Sequence, residues 1–337
     1  SLNVDLSTNS LTVSNLPGIG SFTSLVEGFE NVRGSDTSDK IVGDNGVNNL
    51  IGNGGNDLLY GESGDDYLDG GEGDDTLDGG GGNDEINGGD GSDRMIGGEG
   101  DDTYTFGDGI DVIDYSNLQD SMTLVRGGTV DKGELGTDTF MDFYERIIAT
   151  SNENDWIDGL TGGGSIASLN VDLSTNSLTV SNLPGIGSFT SLVEGFENVR
   201  GSNTADQIIG DNGVNTLVGN GGNDVIDGGG GSDLIVGGEG SDLIIGGEGN
   251  DTYTFGDGVD VIDYSNLQDS ITLVRGGTVD KGELGTDTFT DFYERIIATN
   301  NANDWIDGLT GGGSIASLNI DLSNNSLTVS NLPGVGS

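Results

Sequence analysis

The 337-residue sequence contains no cysteine and no histidine. Without Cys there can be no disulfides and no thiolate metal sites, and without His the commonest zinc ligand and the commonest general base are missing. Only 10 Lys and Arg stand against 58 Asp and Glu, a formal net charge of −48, so nucleic acid is not an expected partner. Hydrophobic residues make up 32% and aromatic residues 6%, too little apolar matter for one thick globular core at this length. No run of 18 or more apolar residues occurs, so no membrane span is expected. Nor does a charged segment followed by an apolar one come after Ser1, which leaves no signal peptide to be read there.

What is abundant is glycine, 65 residues, and it is periodic. Acidic disordered tracts do not place Ile, Leu or Val at fixed spacing over many repeats, so the periodicity speaks for an ordered chain. A long repeat begins at SLNVDL from Ser1, returns at Ser168 and again as SLNIDL at Ser317, giving spacings of 167 and 149 residues. Residues 1–35 and 168–202 are identical, and 110–167 match 259–316 with few changes. Such copies are expected of a window from a tandem array. The spacings differ by 18 residues, and the difference falls in the Gly-Asp region, where a second period of nine is found.

The nonamers run over 34–114, including GESGDDYLD from Gly61 and GGEGDDTLD from Gly70, and again over 201–263. Position six carries Asp57, Asp66, Asp75, Asp84, Asp93, Asp102 and Asp111 in the first block. In the second it carries Asp224, Asp233, Asp242, Asp251 and Asp260. Position eight is apolar or aromatic, from Ile41 and Leu50 to Tyr104 and Ile113. Glycine at positions one, two and four permits positive φ, so the first six residues can turn tightly with several carbonyl oxygens aimed at one point. Hard oxygen donors at that density suit Ca²⁺, which takes six to eight of them. The last three residues are extended, with position eight turned inward.

Two nonamers then close one flattened turn. Stacking turns at about 4.8 Å sets Asp57, Asp75, Asp93 and Asp111 in one column and Asp66, Asp84 and Asp102 in the other. Neighbouring carboxylates in a column repel unless a cation lies between them. One apolar side chain per nonamer is a thin core against the entropy of ordering nine residues, so metal binding is expected to be part of folding.

These units match the G-G-x-G-x-D-x-U-x nonapeptide, and the chain resembles the RTX, or haemolysin-type, family. The resemblance covers sixteen units, 144 of 337 residues. It implies an all-β fold, a right-handed parallel β-roll or β-solenoid with calcium between stacked turns, on the order of eight ions or more. It also implies a largely disordered metal-free chain, type I secretion, and folding on reaching a calcium-rich exterior.

Five segments follow from the repeats: a connector at 1–33, a calcium β-roll at 34–114, a β-rich connector at 115–200, a second β-roll at 201–263, and 264–337, a connector with the start of a third copy. The connectors hold alternating strands such as SLTVSN and a degenerate nonamer at NENDWIDG. They read as continued solenoid with irregular turns and a short helix around 140–150; a separate globular domain is the alternative.

EF-hand spacing is absent, and a phosphate-binding loop would need a following helix. A solenoid polysaccharide lyase or epimerase would draw its cations from Arg126, Lys132 and Arg146 or from Arg275, Lys281 and Arg295, which read as solvated or ion-paired charges on an acidic scaffold. An ice-binding face would want ranked threonines, whereas Thr103 with Thr105 and Thr252 with Thr254 stand isolated. Trp156 and Trp305 fall at position seven of degenerate units, facing outward, and are candidates for lateral contact between solenoids. The expected function is therefore that of a non-enzymatic, calcium-stabilised extracellular rod, fibril or surface-layer element, with an adhesive role open. Self-association and a cell-surface polysaccharide are its expected partners, and the non-catalytic repeat module of a secreted enzyme or toxin is the alternative.

Overall fold

The computed structural model describes residues 1–16, 20–125, 128–141, 143–160, 168–183, 187–274, 277–290, 295–307, 318–321 and 326–329. Arg126 and Arg275 lie outside these residues.

Each nonamer contributes one strand, and successive nonamers alternate between two sheets. In one sheet Ile41 pairs with Leu59, Leu59 with Leu77, Leu77 with Met95 and Met95 with Ile113, all parallel. In the other, Leu50 pairs with Leu68, Leu68 with Ile86 and Ile86 with Tyr104. Every step is 18 residues, so two nonamers make one turn. The period-two alternation of a strand puts position eight inside, and all of these side chains are fully buried. They meet between the sheets and form the core. The second block repeats the arrangement, with Ile208, Ile226, Ile244 and Ile262 on one side and Leu217, Ile235 and Tyr253 on the other.

The connectors continue both ladders by a device of their own. In one sheet the rung after Tyr104 is Phe140, in Thr137–Phe140. This strand pairs antiparallel with Thr129–Asp131, which pairs antiparallel with Thr123–Val125, which pairs parallel with Trp156–Asp158. In the other sheet Ile113 leads to Ile147 and then Val193. There Gly187–Glu194, Ser177–Leu183 and Ser168–Asp172 form the zigzag, and Val171 pairs parallel with Ile208. Each zigzag has three strands where a nonamer has one. Across 115–200 each sheet therefore gains two extra rungs, the two sheets stay level, and the next block resumes with its core side inward.

The 140–150 stretch is not helical among its described residues. It holds the end of one strand and Arg146–Ile148, both paired in the sheets. Phe140 and Ile147 alternate with outward-facing neighbours and face the core, and extended backbone serves that burial where a helix would break both ladders. Among the described residues the helical turns are three-residue 3₁₀ turns, Gly133–Leu135, Leu173–Thr175 and Gly282–Leu284. Residues Leu318–Asp321 and Ser326–Val329 form a separate antiparallel pair.

Identical sequences meet different surroundings in the two copies. Phe196 is 4% exposed, in a meander stacked on the preceding turn, whereas its counterpart Phe29, in the first copy, is 56% exposed. Val193 and Ser191 are likewise buried, while Val26 is half-buried and Ser24 exposed.

Candidate metal centre

The turn of each strict nonamer is built by two residues with positive φ, at positions two and four. Gly71 and Gly73 adopt 103° and 123°, and Gly89 and Gly91 adopt 97° and 142°. Where position two is not glycine, Asn53 and Glu62 still take the left-handed conformation, at 76° and 78°. Position one is glycine for a different reason than the one read from the sequence. Its φ is not positive; a Cβ on Gly52 would lie 2.2 Å from Oδ2 of Asp57 and 2.4 Å from the carbonyl oxygen of Gly70. The position-six carboxylate leans on the bare Cα of its own nonamer, beside a carbonyl of the next turn.

All twelve position-six aspartates named above are buried. Their two oxygens have different fates. Oδ1 accepts a hydrogen bond from the backbone N–H of the residue 18 positions earlier: Asp57 N to Asp75 at 2.6 Å, Asp75 N to Asp93 at 2.7 Å, Asp93 N to Asp111 at 2.8 Å. In the other column Asp66 N reaches Asp84 at 2.8 Å and Asp84 N reaches Asp102 at 3.0 Å. The second block repeats this with Asp224 to Asp242 and Asp233 to Asp251. One carboxylate oxygen of each rung is thus a staple between turns.

The other oxygen, Oδ2, is buried without a protein partner in Asp57, Asp66, Asp75, Asp84, Asp93, Asp111, Asp224, Asp233 and Asp242. Burial pushes these carboxyls up, to about 6 for Asp57, Asp66 and Asp93 and to about 7 for Asp75, Asp84, Asp224 and Asp233. Desolvation is the main cause in each; the stapling N–H works against it, and neighbouring carboxylates add to it. A buried, unpaired carboxylate oxygen is costly, and a cation is the partner that relieves it.

At the block edges the chain supplies partners itself. Oδ2 of Asp39 accepts from the backbone and hydroxyl of Ser35, and Oδ2 of Asp206 accepts from those of Ser202. Position six is neutral at Asn48 and Asn215. Asp155, in the degenerate nonamer, takes the Thr150 hydroxyl at 2.7 Å. Asp102 and Asp251 have lysine partners. Nζ of Lys132 lies 2.9 Å from Oδ2 of Asp102 and pairs with Oδ1 of Asp138; Nζ of Lys281 lies 2.9 Å from Oδ2 of Asp251 and 2.6 Å from Oδ1 of Asp287. Both lysines are ion-paired, but they are among the most deeply buried side chains of the protein and are not solvated. In the column of Asp66, Asp84 and Asp102, and in that of Asp233 and Asp251, the unpartnered oxygens therefore lie between a neutral Asn and a lysine-paired Asp, whereas in the other column of the first block they run on to its last strict rung, Asp111.

Among the described residues no three acidic side chains gather at one point. The donors available to an ion are one or two carboxylates and the turn carbonyls, all hard oxygen, a set suited to Ca²⁺ and foreign to Zn²⁺. The family model of the RTX calcium-binding nonapeptide repeat matches residues 27–59, 42–77, 78–113, 200–235 and 227–262. These blocks are RTX calcium-binding repeats. RTX repeats bind calcium, and proteins that carry them are typically secreted. Among solved structures the chain is similar to the extracellular lipase LipA from Serratia marcescens, with 17% identity over 77% of this chain and 37% of that one, at a TM-score of 0.16. The chain thus spans 37% of the lipase's length, and so loose a superposition bears on nothing further. No curated protein matches the chain.

Residues outside the strict motif complete the RTX columns, and the sequence reading passed over them. Asp138 and Asp287 belong to GELGTDTFM and GELGTDTFT, which keep the G-x-x-G-x-D-x-U pattern in phase with the nonamers upstream; that phase was the signal. Trp156 faces outward and stacks under Arg200, whose guanidinium lies 5.4 Å from the ring centroid. Trp305, in Trp305–Asp307, is 69% exposed. No helix of the described residues is long and apolar enough to cross a membrane.

Proposed function

We propose that the chain is a calcium-stabilised extracellular rod element of a fibril, stalk or surface layer, and that it is not itself catalytic. The observation that carries this reading is the continuity of the two ladders. Parallel pairing and zigzags run from one block through the connector into the next without a break in either sheet. A solenoid whose rungs contact only neighbours like themselves grows in one dimension. Outward Trp156 and exposed Trp305 are the candidates for side-by-side contact. A non-catalytic role accords with the cations a polysaccharide-cleaving solenoid would need. Lys132 and Lys281 are sequestered, and Arg146 pairs with Glu194 at 2.8 Å. An exposed face bearing acidic side chains and few cations leaves a cell-surface polysaccharide as a partner through bridging calcium.

Electron microscopy and light scattering of the purified chain in calcium, then after chelation, test the reading. Fibres or ordered sheets that dissolve on chelation are expected. A monodisperse monomer at high protein concentration in calcium would overturn the rod reading and leave a repeat module of a larger secreted protein.

A further inference from the structure

Lys132 and Lys281 occupy equivalent places in the two copies, and the oxygens around them are the column's own. Nζ of Lys132 donates to Oδ2 of Asp102 at 2.9 Å and to the carbonyl oxygen of Gly98 at 2.8 Å, and it pairs with Oδ1 of Asp138. Nζ of Lys281 donates to Oδ2 of Asp251 at 2.9 Å and to the carbonyl of Gly247 at 2.8 Å, and it pairs with Oδ1 of Asp287 at 2.6 Å. In repeat terms the three donors are Oδ2 of position six, the position-two carbonyl of the same nonamer, and the carboxylate of the next rung. Asp138 and Asp287 are next-rung carboxylates in the strict sense: Asp102 N staples to Oδ1 of Asp138 and Asp251 N to Oδ1 of Asp287, each at 3.1 Å.

The same Oδ2 that is unpartnered at Asp66, Asp84 and Asp233 is the one the ammonium satisfies at Asp102 and Asp251. We infer that Lys132 and Lys281 are tethered cations filling what would otherwise be the last calcium position of one column in each block. The zigzag makes this possible. Because Thr129–Asp131 runs antiparallel to Thr137–Phe140, the turn between them carries Lys132 back over the final rung, and the 3₁₀ turn Gly133–Leu135 holds it there through Lys132 N to Gly136 O at 2.8 Å. Oδ2 of Asp138, facing away from the lysine, is held by the hydroxyls of Tyr115 at 2.8 Å and Tyr104 at 3.3 Å. In the second copy Tyr264 and Tyr253 hold Oδ2 of Asp287, each at 2.8 Å. The next carboxylate is thereby fully satisfied without metal. A lysine of charge +1 also ends the run where no further turn of the strict motif follows to share a divalent ion.

The consequence is a fixed ion count, with the connector latched to the last rung of that column by a permanent charge. Calcium per chain, measured by equilibrium dialysis and atomic emission on the calcium-saturated full chain, tests it. Lys132→Ala opens the position, so the variant is expected to bind one ion more than the parent chain, and Lys132→Ala with Lys281→Ala two more. Lys132→Met keeps the stem over the site and removes the charge; it is expected to gain no ion and to melt lower than the parent at every calcium concentration. An alanine variant with an unchanged or smaller count overturns the inference. So does an equal loss of ions in the Ala and Met variants, which would make the lysine a packing element and not a surrogate ion.

Discussion

The backbone N–H of Asp75 donates to Oδ1 of Asp93 at 2.7 Å, across one full turn of 18 residues, while Oδ2 of the same Asp93 is buried with no protein partner. One side chain thus both registers two turns and leaves a charge for a metal to neutralise. That division of labour predicts that folding and calcium binding are coupled.

Circular dichroism of the chain in excess EDTA is accordingly expected to show mostly coil, with β-structure restored by calcium. Magnesium should restore little, because it demands near-ideal octahedral geometry and gives up water reluctantly. Persistence of the β-signal in EDTA would contradict the coupling.

Acid should act in opposite directions on the two forms. The interior carboxyls of the metal-free roll sit at about 6 to 7, above the ordinary value of 3.8. The folded metal-free state then binds more protons than the unfolded chain between about pH 4 and pH 7. Its stability is greatest below that window and is lost as the pH rises through it. Calcium must displace those protons, so the calcium concentration at half-folding should rise as the pH falls below 7, by roughly tenfold per unit for each protonated ligand. Calcium titrations at pH 7.5, 6.5 and 5.5 measure the slope; a midpoint independent of pH would count against these carboxylates as ligands.

Interior members of a column should matter more than edge members. Asp93→Ala removes the staple to Asp75 and a carboxylate placed between the rungs of Asp75 and Asp111, and is expected to cost about 2–3 kcal/mol in calcium. Asp260→Ala, near a block edge, should cost less. Chemical denaturation of both variants in equal calcium compares them, and equal losses would argue against ligands shared between turns.

Length changes should be tolerated in steps of a whole turn. Deleting residues 70–87 removes two nonamers and keeps every downstream residue in its sheet. Deleting residues 70–78 moves the remainder to the opposite sheet and takes one member from a column. Thermal melts in calcium should show cooperative unfolding for the longer deletion and a lower midpoint for the shorter one.

The two glycine roles can be separated as well. Gly79→Ala places a Cβ 2.2 Å from Oδ2 of Asp84 and should weaken calcium binding along with the fold. Glu62→Gly relieves a non-glycine residue held at φ 78° and should stabilise by about 1 kcal/mol. Calcium-dependent melting of both variants gives the signs.

Much of this architecture was legible because a period of nine is a geometric statement. Leu50, Leu68 and Ile86 recur at 18 residues and stack as that spacing requires. The connectors were less legible. Alternation in SLTVSN marks a strand but does not name its neighbour, and nothing local tells that Thr137–Phe140, Thr129–Asp131 and Thr123–Val125 stack in reverse chain order. Lys132 misled for a physical reason. In a chain of charge −48 a cation reads as solvated or ion-paired; the pairing is there, but the burial is not legible, because only the reversed strand order carries Lys132 under cover. Glycine at position one misled because sequence does not distinguish a residue that needs positive φ from one that needs no side chain.

The stacking direction also decides how the molecule meets force. Every staple such as Asp75 N to Asp93 Oδ1, and every parallel ladder bond, points from one turn to the next. Tension applied end to end loads these bonds turn after turn in series, so the weakest turn yields first and the others hold. Each turn that opens converts about 5 Å of stack into about 60 Å of extended chain. A solenoid pulled along its stack is therefore expected to lengthen in discrete increments, turn by turn, and to release calcium as each turn opens.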